Sequence, residues 1–152
     1  MTTRRSFLTL AATLPLAALT ARAAFAAQPE VFTKGGVAIN GYDPVAYFTE
    51  RAAVKGDAAT SVTWKATEWH FATAENAAAF EADPDAFAPQ YGGYCAYAAS
   101  KNAIAPTSAD AWTVYDGKLY LNFDIGVRDV WKKDIPGNIA KADANWPAVL
   151  SR

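Results

Sequence analysis

The sequence predicts a single α+β domain: a small antiparallel sheet with helices packed on one side. Two kinds of signal carry that expectation. Short runs rich in aromatic and β-branched residues are bounded by turn residues, most clearly Trp112–Tyr115 and Leu119–Phe123 around Asp116-Gly117. Between such runs lie stretches with helical spacing that open on a capping residue, Thr73 or Asp124. The chain is 152 residues long, and no repeat or low-complexity linker divides it, so one core is expected.

Val31-Phe32 and Val37-Ala38-Ile39 flank Lys34-Gly35-Gly36 and predict a short opening hairpin. In Asp43-Pro44-Val45-Ala46-Tyr47-Phe48 the aspartate caps a helical turn and the proline suits its first position, with φ preset and no donor to waste. Tyr47 and Phe48 are expected inward. Ser61–Thr67 alternates, with Val62 and Trp64 on one face, and Trp69-His70-Phe71 resumes the pattern as a hairpin partner or bent continuation. Thr73 caps a helix that runs to Ala82 and stops at Asp83-Pro84, because the residue before proline disfavours helical dihedrals. Phe87, Tyr91 and Gly92-Gly93 form a compact loop leading into a helix over Tyr94–Ala99. After the Asp116-Gly117 hairpin, Asp124 caps a last helix with Val127, Val130 and Trp131 at three- and four-residue spacing. Ile135-Pro136-Gly137 is expected to interrupt it before Ile139–Trp146.

Residues 1–26 predict a cleaved twin-arginine export signal. Arg4-Arg5 leads with Phe7-Leu8 in register, Phe7–Leu19 is free of charge, and Ala24-Phe25-Ala26 offers small side chains to a signal peptidase. The apolar run is shorter than the roughly 20 residues that span a bilayer. The expected location is the periplasm, reached in a folded state that permits a preloaded cofactor. Cleavage would remove three arginines and no acid, leaving residues 27–152 with eleven basic and fifteen acidic side chains, a net charge of −4. That balance excludes the basic stripe nucleic-acid binding requires, and no second apolar segment predicts a membrane anchor. Cys95 is the sole cysteine, so no intramolecular disulfide can form and packing must supply the stability; five tryptophans and seven tyrosines suit that role.

Asp43-Pro44-Val45, then Trp69-His70-Phe71-Ala72-Thr73, then Phe80 and Asp83-Pro84 ahead of Phe87 stand in the order found in the YHS domain family, which this chain resembles over about Asp43–Phe87. The longer pattern, with Gly92-Gly93-Tyr94-Cys95-Ala96 and the Trp112–Phe123 hairpin, is similar to exported bacterial YHS-domain proteins. The resemblance implies a small binding module, and in many such modules cysteines after the first motif and after the aromatic strand hold a metal. Here Ala46 and Ala72 stand near those places, so that ligand set is missing.

Cys95 and His70 are the remaining soft or borderline ligands of the exported part. As a pair they are too few for a structural zinc site, but suit copper, or iron or haem iron, with help from a tyrosinate or an outside ligand. The competing reading makes His70 a half-buried strand histidine and Cys95 a small packed thiol. A nucleophilic reading would set His70 beside Cys95 with an acid such as Asp43 orienting the imidazole, but no hydrolase or oxidoreductase signature surrounds the cysteine, so no enzyme is expected. Tyr94 and Tyr97, with Tyr42 and Tyr91, predict either an aromatic wall for a planar ligand or simple packing. The expected function is therefore a periplasmic binding module for a metal ion or small ligand. The alternative is a metal-free interaction domain that contacts a periplasmic protein partner.

Overall fold

Gly35 and Gly36 both take positive φ, the conformation a two-residue reversal needs. In the computed structural model, which describes residues 26–152, they join β1 (Thr33–Lys34) to β2 (Val37–Ala38) as an antiparallel pair. The predicted export signal thus lies, apart from Ala26, outside the described residues. The next reversal has no glycine at all: β3 (Asp57–Trp64) returns as β4 (Thr67–Phe71) through Lys65 and Ala66, at φ 50° and 54°.

The domain is α+β, as expected, but the main sheet is mixed. Its order is β1-β2-β4-β3, and β4 runs parallel to β2 through Val37 and Glu68. Local hairpin signals report neighbours in sequence, and β4 reaches β2 only after the chain has passed through the helical turn α1 (Ala46–Thr49) and strand β3. The Asp116-Gly117 hairpin forms as predicted, β5 (Trp112–Tyr115) with β6 (Lys118–Leu121), as a separate two-stranded sheet.

Alternation along β4 buries Trp69 and Phe71, and helix α2 (Ala74–Ala82) covers them with Phe80. The Phe80 ring lies 5.1–5.7 Å from those of Trp64, Trp69 and Phe71, at tilted and edge-on angles that suit aromatic quadrupoles. Thr73 accepts from the Asn76 amide to cap α2, and Asp83 both ends it and caps the short α3 (Pro84–Phe87). A second apolar cluster joins Tyr91, Tyr120, Trp131 and Ala142, drawn from β6, α4 (Ala96–Ser100), α5 (Ile125–Trp131) and α6 (Ile135–Asn145) and their flanks.

The expected interruption at Ile135-Pro136-Gly137 falls earlier. A 3-10 turn over Lys132–Asp134 makes the break, and Asp134 caps the new helix by accepting from the Gly137 amide at 3.0 Å. Proline in a first helical turn forfeits no intrahelical bond, so Pro136 begins α6.

Candidate functional site

The alternation that sends Trp69 and Phe71 into the core turns His70 to the opposite face of β4. There its Nε2 meets the Glu68 carboxylate at 2.5 Å, donating to it; in the neutral imidazole Nδ1 is then the acceptor. Gly56 fits against the His70 backbone so closely that a Cβ there would come within 2.4 Å of the His70 carbonyl carbon.

Beside this strand three successive residues take left-handed dihedrals: Ile39 at φ 41°, Asn40 at 61° and Gly41 at 74°. For a β-branched residue that conformation costs about 1–2 kcal/mol. Its neighbours hold it. Ile39 is buried in the core, its amide donating to Phe32 O. Asn40 Nδ2 donates to Thr107 O at 2.8 Å, and Lys55 Nζ donates to Asn40 O. A strained turn held this way is common where a chain shapes a binding site.

These elements enclose a groove of about 680 Å³. Lys34, Lys55 and His70 line it on one side and Thr107–Asp110 on the other. Gly41 keeps the middle open, since a Cβ there would lie 3.2 Å from Lys55 Nζ and 3.5 Å from His70 Nδ1. The Lys55 ammonium also lies 4.8 Å from the centre of the Tyr42 ring, a cation–π contact that fixes the charge at the groove wall. The facing wall is tied down by Asn40, by Thr107 Oγ1 donating to Gly93 O, and by Tyr47 OH donating to Ala109 O.

Cys95 is not among the residues lining the groove. It is 1% exposed at the start of α4, and its thiol donates to Asn122 Oδ1 at 3.6 Å. His70 and Cys95 thus share neither a cavity nor a hydrogen-bond partner. Among the described residues no three of His, Cys, Asp or Glu gather as metal ligands would. Lys55 Nζ and His70 Nδ1 both face the space beside Gly41, so a cation bound at Nδ1 would share that space with an ammonium charge.

Asp43 does not orient the imidazole either. Its Oδ1 accepts from the amides of Val45 and Ala46, its Oδ2 from the amide of Ala72 and from Asn76 Nδ2. The Gly92-Gly93 turn serves packing: a Cβ on Gly92 would lie 1.8 Å from Glu30 O, and one on Gly93 2.5 Å from Ile39 Cγ2.

The tyrosines separate as well. Tyr94 precedes α4 instead of sharing its face with Tyr97; its hydroxyl donates to Pro29 O and its ring borders a shallow cavity with Phe32 and Pro106. Tyr97 packs against the second core under the Lys101 ammonium. Tyr42 borders the groove, and Tyr91 lies in another cavity, donating to Asp143 at 2.9 Å. Burial, then the hydrogen bond and charge of Asp143, push the Tyr91 phenol well above its ordinary value.

Of the groove's residues, sequence reading finds His70 and Tyr42 and misses Lys34, Asn40, Lys55 and Asp110 as site residues. The Asn40-Gly41 dipeptide, a strong signal for left-handed turns, is the one local feature that points to it. No family model, curated protein or solved structure matches the chain.

Proposed function

We propose that this protein is an exported YHS-type binding module that holds a small organic anion, carboxylate- or phosphate-bearing, in the groove beside His70. One observation carries the ligand class: the ammonium groups of Lys55 and Lys34 line one open space, with the His70 ring also in its lining. Two ammonium groups against the single carboxylate of Asp110 favour an anionic guest. Export rests on Arg4-Arg5, the uncharged run behind them and the alanines at 24 and 26, and family membership on the motif order from Asp43 to Phe87.

The test is calorimetric titration of residues 27–152 with citrate, succinate and inorganic phosphate, repeated with Lys55→Ala and His70→Ala. Binding that falls at least about tenfold in Lys55→Ala and weakens with added salt supports the reading. Equal binding in all three proteins, or none to any anion, rejects it.

A second reading keeps a transition metal, copper before iron or haem, at His70 with Cys95. It draws on the Glu68–His70 pair, since a carboxylate on one imidazole nitrogen is the usual support for a ligand on the other. It requires Cys95 to leave Asn122 and to reach the face of β4 that carries His70. Elemental analysis of protein taken from the periplasm decides it: stoichiometric copper or iron, lost in Cys95→Ser, would favour this reading over the anion.

A further inference from the structure

A second cavity, of about 210 Å³, opens where the N-terminal segment, α3 and α6 meet the β3–β4 turn. Its lining is aromatic and its rim acidic. Trp64, Trp69, Tyr91 and Trp146 supply rings, while Glu30, Asp85 and Asp143, from three separate segments, supply carboxylates. Trp69 and Tyr91 are fixed in place by burial, and the Tyr91 hydroxyl holds one oxygen of Asp143, leaving the other free to accept.

The chain itself shows what this lining attracts. Lys65 is paired with Glu30, and its ammonium sits 4.7 Å from the centre of the Trp64 ring. The left-handed turn at Lys65 and Ala66 delivers it there. One ammonium therefore stands at the mouth already, while Asp85 and Asp143 have no basic partner among the described side chains.

We propose that this cavity binds a small organic ammonium group, with Lys65 as its displaceable internal occupant. Ring faces attract a diffuse cation by their quadrupole, and rim carboxylates attract it by charge. The site is independent of the anion groove, since the two share no lining residue.

The experiment follows tryptophan fluorescence of residues 27–152 during titration with choline. Its neutral carbon isostere, 3,3-dimethylbutan-1-ol, serves as control. Choline should bind at least about tenfold more tightly than the isostere. Asp143→Asn, which keeps an acceptor for Tyr91, and Asp85→Asn should each weaken choline by about threefold. Lys65→Ala should tighten it severalfold by clearing the Trp64 face. Equal affinity for choline and the alcohol, affinity unmoved in the Asp85→Asn/Asp143→Asn double variant, or looser binding in Lys65→Ala would each overturn the proposal. So would the absence of any choline response in wild type and Lys65→Ala alike.

Discussion

Asn76 Nδ2 donates to Asp43 Oδ2 at 2.7 Å, fastening the start of α2 to the turn ahead of α1. The same carboxylate, wholly buried, also takes the amides of Val45, Ala46 and Ala72. Asp43 is thus a knot between segments about thirty residues apart, and its work is structural. Asp43→Ala would leave those donors without their acceptor in the interior and should destabilise the fold by about 3–5 kcal/mol. Asp43→Asn, which keeps an acceptor but sets an amide donor among donors, should cost about 2 kcal/mol or more. Urea unfolding measures both; a loss below about 1 kcal/mol in Asp43→Ala would contradict this role.

Ala66 holds φ 54° in a two-residue hairpin turn that favours glycine. Ala66→Gly removes a left-handed penalty of about 1–2 kcal/mol and adds chain entropy to the unfolded state, of about 0.5–1 kcal/mol. The variant should therefore be more stable by about 0.5–1 kcal/mol, read as a higher Tm. A lower Tm would show that the turn is not strained.

Because Cys95 is shut in and bonded to Asn122, iodoacetamide should modify it slowly in the native protein, and on the order of a hundredfold faster in urea. Cys95→Ser keeps a donor for Asn122 Oδ1 and should cost about 1–2 kcal/mol. Fast native alkylation would mean that the thiol opens to solvent and would return it to consideration as a reactive group.

Burial pushes the phenols of Tyr47, Tyr91, Tyr94 and Tyr120 above their ordinary value, with nearby acids adding to the effect at Tyr47, Tyr91 and Tyr120. Their protonated forms are favoured in the fold, so this stabilisation is complete below about pH 10, where unfolded tyrosines titrate, and drains away as pH rises beyond it. Urea midpoints should stay level approaching pH 10 and fall above it, with tyrosinate absorbance rising together with unfolding. Stability unchanged well above pH 10 would contradict the prediction.

Much of the architecture was legible because its signals are local. Thr73 and Asp124 cap as their side chains dictate, Asp43 accepts the amides of Val45 and Ala46 at the turn it was expected to cap, α2 ends ahead of Asp83-Pro84, and Asp116-Gly117 turns as that dipeptide prefers. The parallel contact of β2 with β4 was not, since nothing in either strand records its distant partner. The Lys65-Ala66 turn carries no turn residue, and tertiary packing of Trp64 and Trp69 outweighs its local cost. The groove suffered similarly. His70 stands out as the lone histidine, but lysines at 34 and 55 look like ordinary solvated charges until the fold sets them around one space. Pairing His70 with Cys95 followed from ligand chemistry, which carries no information about which face of β4 a side chain takes.

The wall formed by Thr107–Asp110 has no regular secondary structure, yet it is pinned from Asn40, Gly93, Tyr47 and Asn122. A guest entering beside it would find that wall already shaped, with little ordering of it left to do. Capture should then proceed at the pace of charge-guided diffusion, and selectivity among guests should show in how long each one stays.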